Sequence, residues 1–179
     1  MRQRRTRSTI ALYAVPIATA LVIGLGALRI PTTAPEDALT LAADLTTRKL
    51  TVARGGEVIK EYDVAVGQPT YPTPRGTFSI HKIIWNPKWV PPDSKWARGK
   101  KAAAPGGPHN PMKLVKIFFQ EPDYYIHGTD DIDSLGSADS HGCLRMDPND
   151  AGELALMLMD NSGVSRDWDW VKGILHLGD

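Results

Sequence analysis

The sequence predicts a mostly β domain with one or two short helices, carried behind an N-terminal transmembrane helix. Three observations point there: apolar residues alternate from Leu39 to Gly67, a capped helix signal opens at Asp147-Pro148, and the run Ile10 to Leu28 holds no charge. A chain of 179 residues with 14 Pro, 16 Gly and one Cys fits one folded domain with an appendage, and excludes a disordered or collagen-like polymer.

The uncharged run is 19 residues long and follows the basic stretch MRQRRTR. As a helix rising about 1.5 Å per residue it just spans a hydrocarbon core of roughly 30 Å. A signal-peptide core is shorter, about 7 to 15 residues, and ends in small residues. Arg29-Ile30-Pro31-Thr32-Thr33-Ala34 is a poor cleavage site. The expectation is therefore a cytoplasmic basic segment (1–9), an uncleaved signal anchor (10–28), a linker (29–38) and a folded domain (39–179). The positive-inside rule puts that domain on the exocytoplasmic side of a single-pass anchor in the cytoplasmic membrane; cleavage would make it secreted. Arg2, Arg4, Arg5, Arg7 and Arg29 lie in this leader, so the remaining 16 basic and 20 acidic residues leave the rest at −4. A mildly acidic domain lacks the basic face that nucleic acid requires, and that partner class is excluded.

Period-two alternation runs through LTLAADL and then KLTVARGGEVIKEYDVAVG, where Gly55-Gly56 reads as a hairpin turn. Tyr71 to Gly76 is a turn, and TFSIHKIIW reads as the next strand. Residues 86–113 are rich in Pro and Gly without periodicity, and carry Trp89, Trp96 and the lysines of KWARGKK. Such a stretch inside a compact domain reads as a functional lid or a mobile loop, because two tryptophans would not be left in water. Strand signals return at LVKIFF and at Tyr124 to His127; Asp147 then caps a helix that runs to Asn161-Ser162-Gly163. The tail RDWDWVKGILHLGD allows one more short helix.

Cys143 cannot pair within the chain, so it is a buried small residue, a dimer link, a metal ligand or a reactive thiol. His127 and His141 lie within 16 residues of it, each followed by a glycine that permits close backbone approach. A thiol becomes a nucleophile as thiolate, and its ordinary pKa of about 8.5 must be lowered by an imidazole, a cation or a helix N-terminus, all of which this stretch offers. Such a pair performs acyl transfer, with the Gly142 and Cys143 amides as natural oxyanion donors. Zinc is the competing chemistry, with Asp130, Asp131, Asp133 and Asp139 nearby, but the two-residue gap between His141 and Cys143 is short for a metal site. No metal and no cofactor are expected. His81, His109 and His176 read as surface or packing residues.

Ile126-His127-Gly128-Thr129, followed by Ser140-His141-Gly142-Cys143-Leu144-Arg145-Met146, resembles the motif of the L,D-transpeptidase catalytic domain, the YkuD type. Tyr71-Pro72-Thr73-Pro74-Arg75-Gly76-Thr77-Phe78 resembles that family's upstream element, and the likeness covers roughly residues 39 to 165. The resemblance implies a β-sandwich-like fold, a cysteine enzyme of peptidoglycan, and residues 86–113 as the active-site capping loop. It would cut a tetrapeptide stem after its third residue, release D-alanine and pass the acyl group to an amine, in cell-wall cross-linking or remodelling. Its partners would be donor and acceptor stem peptides, besides the membrane held by the N-terminal helix.

By the same matching Cys143 is the nucleophile and His127 the general base, oriented by the Gly128 carbonyl. Ser140, His141 and Arg145 support the site, and the Gly142 and Cys143 amides form the oxyanion hole. Two alternatives remain: an L,D-carboxypeptidase that gives the acyl group to water, and a non-catalytic wall- or metal-binding module. Relatives often end in a closing strand, whereas this chain stops at Leu177-Gly178-Asp179, so one sheet edge is expected to be open or filled differently.

Overall fold

The computed structural model describes residues 8–13 and 38–176, which form eleven strands and two α-helices. In β2 (Leu39–Asp44) and β3 (Lys49–Arg54), Leu39, Leu41, Ala43, Leu50 and Val52 are buried at period two, as the alternation predicts. Gly55 and Gly56 turn the chain with φ of 57° and 86°, the left-handed pair that a two-residue hairpin demands. Arg54 then faces Glu57 as β4 (Glu57–Asp63) begins. In this edge strand only Tyr62 is buried, and Lys60, Glu61 and Asp63 keep it charged, which discourages a further strand.

β5 (Val66–Gly67) follows, and then the segment TFSIHKIIW departs from expectation. It breaks at His81 into β6 (Gly76–Ile80) and β7 (Lys82–Trp85), which join different sheets. The cause is parity. Phe78 and Ile80 turn to the core in β6, Ile83 and Trp85 in β7, and the odd offset between the two sets cannot be met by one pleated strand.

β1 (Ser8–Tyr13) lies parallel to β2 and antiparallel to β6, so the first sheet runs β4-β3-β2-β1-β6. The slot between β2 and β6 is thus filled by a strand from the other end of the chain. This corrects the expected membrane helix at its start, because Ile10 to Tyr13 are sheet. The rest of that segment, 14–28, lies outside the described residues. Its 15 residues would make a helix of about 22 Å, short of a hydrocarbon core of roughly 30 Å, so this pairing and a full span exclude each other. Among the described residues no helix is long and apolar enough to cross a membrane.

The second sheet contains β8 (Val115–Gln120), β9 (Tyr124–Gly128) and β11 (Leu144–Met146) in the order β11-β9-β8-β7, and β10 (Ala138–Ser140) pairs with β5. α1 (Pro148–Asn161) starts where the sequence predicts: the Asp147 carboxylate accepts the Asn149 amide at 2.8 Å, and Pro148 fills the first turn. The core joins Leu41 and Val52 of the first sheet, Ile117, Ile126 and Leu144 of the second, and Leu154 of α1. α2 (Trp168–His176) lays the Trp168 ring against Gly152, where a Cβ would meet ring carbon Cη2 at 2.5 Å.

Residues 86–113 are more ordered than their sequence suggests. Trp89 and Ala103 exchange backbone hydrogen bonds of 2.9 Å, and a 3-10 turn spans Lys95–Ala97. The buried Asn110 amide donates to the Pro87 and Ala104 carbonyls, at 2.7 and 2.9 Å, and its oxygen accepts the Met112 N–H at 2.9 Å. One asparagine thus supplies the bonds that a periodic element would have made. Trp89 is buried, in line with the expectation for the cap's tryptophans.

Candidate active site

Strand register assembles the site. On β9, Ile126 turns into the core and His127 to the opposite face, beneath the cap. Lys116 of β8 lies directly across from His127 on one side, and Arg145 of β11 on the other. Cys143 stands two residues before Arg145, so it shares that face with His127. Lys116, Tyr125, His127, Cys143 and Arg145 line one cleft of about 940 Å³, roofed partly by Trp96.

The turn carrying the thiol is held from within. The buried Ser140 hydroxyl donates to the Cys143 carbonyl at 2.6 Å and accepts the Gly142 N–H at 3.1 Å. Gly142 has φ of 108°, and a Cβ there would meet the Tyr124 ring at 2.7 Å, so glycine is required. In this structure the Gly142 N–H, expected to serve an oxyanion, is given to the Ser140 hydroxyl. Gly128 has a packing reason of its own: a Cβ would come within 3.0 Å of both Pro148 and Lys113, where α1 meets the strand end.

His127 is 5% exposed, and its Nδ1–H donates to the Gly128 carbonyl at 2.6 Å. A carbonyl only accepts, so the neutral ring carries its lone pair on Nε2. Burial pushes the ring down to about 4, assisted by the positive Arg145 and Lys116 and opposed by the Gly128 and Pro111 carbonyls. His127 is therefore a neutral acceptor at pH 7.

Cys143 retains partial exposure, and its thiol donates to the Asp123 carbonyl at 3.3 Å. The sequence led us to expect a depressed thiol pKa, and the surroundings do the reverse. Dense packing pushes it up to about 11, although the Tyr125 amide, Lys116 and Arg145 each favour the thiolate. The resting pair is thus a neutral thiol and a neutral imidazole.

Arg145 approaches Asp131 at 3.7 Å and Asp139 at 3.5 Å, and so ties the loop after β9 to β11. Lys113 pairs with Asp130. His141 stacks on Trp96, with centroids 4.1 Å apart, and Tyr71 tilts against it at 5.1 Å. Lys100 covers Trp96 at 4.8 Å, so the cap is latched to the cysteine turn through aromatic rings. Burial first, then Lys100 and Arg145, lower the His141 pKa. His81 lies at the surface beside Glu121, at 3.1 Å.

Sequence reasoning missed Lys116, Tyr125 and Tyr71. A lysine interrupting the apolar run LVKIFF was the available signal, but only pairing tells which side it faces. Among the described residues no group of three or more His, Cys, Asp or Glu is gathered as for a metal ion.

The model of the L,D-transpeptidase catalytic domain matches residues 39–165. YkuD of Bacillus licheniformis, whose name ascribes L,D-transpeptidase activity to it, is 32% identical over 125 residues, 70% of this chain and 63% of its own length. The chain therefore spans less than two thirds of that relative. The catalytic domain of an L,D-transpeptidase from E. faecium shares its fold, with a TM-score of 0.52 and 21% identity over 68% of this chain and 90% of that one. L,D-transpeptidase 3 of Mycobacterium tuberculosis, solved with a faropenem-derived adduct, has a TM-score of 0.51 and 17% identity over 64% of this chain and 53% of its own.

Proposed function

This chain belongs to the L,D-transpeptidase catalytic domain family, and from that premise we propose that it transfers acyl groups between peptidoglycan stem peptides through Cys143. One observation carries the reading: Cys143 and His127 share one sheet face in one cleft, and the hydrogen bond from His127 Nδ1–H to the Gly128 carbonyl puts the lone pair of the neutral ring on Nε2.

The thiol gives its proton to His127 Nε2 as the sulfur attacks the carbonyl that joins the stem's third residue to D-alanine. The resulting oxyanion is met by the Cys143 amide. Collapse breaks the C–N bond, the imidazolium protonates the departing amine, and D-alanine leaves a thioester on Cys143. An acceptor amine then attacks that thioester, its proton passes to the imidazole, and the thiol is restored. Gly128 and Pro111, whose carbonyls favour the charged ring, steady the imidazolium within each half-reaction until it passes its proton on. A relative's faropenem-derived adduct supports a family site open to acylating agents.

Peptidoglycan lies outside the cytoplasmic membrane, so the same proposal includes export of the domain.

The test is intact-mass spectrometry of the full chain with a disaccharide-tetrapeptide, beside Cys143→Ala. An acyl adduct formed with loss of D-alanine, together with cross-linked dimers and absent from the variant, is expected. Tripeptide without dimers would replace transfer by hydrolysis. Neither adduct nor product would sink the enzyme reading.

A further inference from the structure

Lys116 sits in the cleft without a carboxylate. Arg145, its counterpart on the opposite side of His127, is engaged by Asp131 and Asp139, whereas among the described residues no acidic group lies within 4 Å of the Lys116 ammonium. Its Nζ rests 4.6 Å from the centroid of the Tyr125 ring, and Cys143 packs against the cluster that contains Tyr125. A half-buried cation with only an aromatic face for company has lost hydration and gained no counter-ion. The site holds a cation waiting for an anion beside a thiol that must become one.

We propose that Lys116 is the positioning residue whose fixed charge holds the Cys143 thiolate, with His127 serving to carry the proton and not as the thiolate's counter-ion. The inference rests on Cys143 being the nucleophile. Its geometric basis is the cross-strand row Lys116, His127, Arg145, with Cys143 one step along the same face. The other groups around the sulfur do not fill the role. Tyr125 is neutral at physiological pH, and burial, the charges of Cys143 and Asp123, and its bond to Cys143 all make it harder to ionise. Asp123 offers the thiol its carbonyl. His141 is turned into the stack with Trp96 and faces Lys100 of the cap. Arg145 reaches the sulfur electrostatically but divides its charge with two carboxylates. Burial lowers the Lys116 pKa while the Cys143 charge raises it, the mutual dependence expected of an ion pair formed only when the thiol ionises.

Thiolate formation here moves one proton from sulfur to solvent in the resting enzyme, or to His127 Nε2 during attack. Lys116 keeps its three hydrogens throughout.

The experiment measures iodoacetamide alkylation of the native full chain between pH 7 and 9.5, without peptidoglycan, for the wild type and for Lys116→Met, Lys116→Arg and His127→Ala. Each tenfold loss of thiolate reads as a tenfold loss of rate, corresponding to one unit of thiol pKa. Lys116→Met is expected to alkylate roughly tenfold more slowly at every pH, with Lys116→Arg within about threefold of wild type. His127→Ala is expected to alkylate at nearly the wild-type rate while losing turnover. The thiol pKa read directly from the ultraviolet absorbance of the thiolate, raised in Lys116→Met, separates lost ionisation from lost reagent access, and unchanged circular dichroism excludes misfolding.

An unchanged Lys116→Met profile overturns the proposal. If that variant instead shows a raised KM for tetrapeptide, Lys116 is a carboxylate subsite for the donor. A His127→Ala rate as low as that of Lys116→Met would return the counter-ion role to the imidazole. Since alkylation uses no muropeptide, its outcome is separate from the mass-spectrometric test of transpeptidation.

Discussion

Cys143 and His127 occupy the same cleft in opposite protonation regimes, and stability should register both. His127 is held near 4 against an unfolded value of about 6.5, so between these pH values the unfolded chain binds the extra proton. Stability then falls as pH drops through that window, by roughly 3 kcal/mol in the limit, and is level above it. Cys143, pushed up to about 11 from about 8.5, gives the opposite limb: the unfolded thiol ionises first, so stability falls as pH rises above about 9. Thermal melts against pH should trace both limbs, and Cys143→Ala should flatten only the alkaline one. A pH-independent melting temperature from 4 to 10 would contradict both burials. Cys143→Ser should fold and bind yet lose nearly all turnover, because the same imidazole is far too weak a base for a hydroxyl; normal product formation would remove Cys143 as nucleophile. These two residues were legible because thiol, imidazole and flanking glycines are rare types gathered in a short span. Lys116 was not, since a lysine in a strand reads as a solvent-facing residue until its cross-strand partners are known.

At the scale of elements, legibility follows how local each signal is. α1 was readable to its first residue, because an aspartate cap and a proline act within one turn; Asp147→Ala should lower stability by about 1 kcal/mol in chemical denaturation. The split of TFSIHKIIW into β6 and β7 was also written in the residues, as a change of parity between Ile80 and Ile83. Without the two sheets in view that change reads as noise. The cap was least readable, because its order comes from Asn110 and not from a period. Asn110→Leu removes three hydrogen bonds and strips the Pro87 carbonyl of the Asn110 donor, while the Ala104 carbonyl keeps the Gly107 N–H. Trypsin should then cut at Lys95, Lys100 or Lys101 at least severalfold faster, with the global melt falling by less. Equal cutting rates would mean that other contacts order the cap.

For the whole molecule, the feature farthest from sequence reach is β1. Its pairing joins Ile10 to Leu41 and to Phe78, separations that no local pattern encodes, and the uncharged segment invited a different reading. Hydrogen exchange of the full chain should find protected amides at Ile10 to Leu12 and along both edges of β2. Fast exchange there would mean that the N-terminal segment has left the sheet. The aromatic latch has an optical consequence. Trp96 lies flat on an imidazole whose ring takes up a proton on acidification, and a protonated imidazole quenches the light of an indole in contact with it. Acidification should therefore dim the Trp96 emission while the stack holds. Trp96→Phe should extinguish that signal and leave the glow of the other four tryptophans as background.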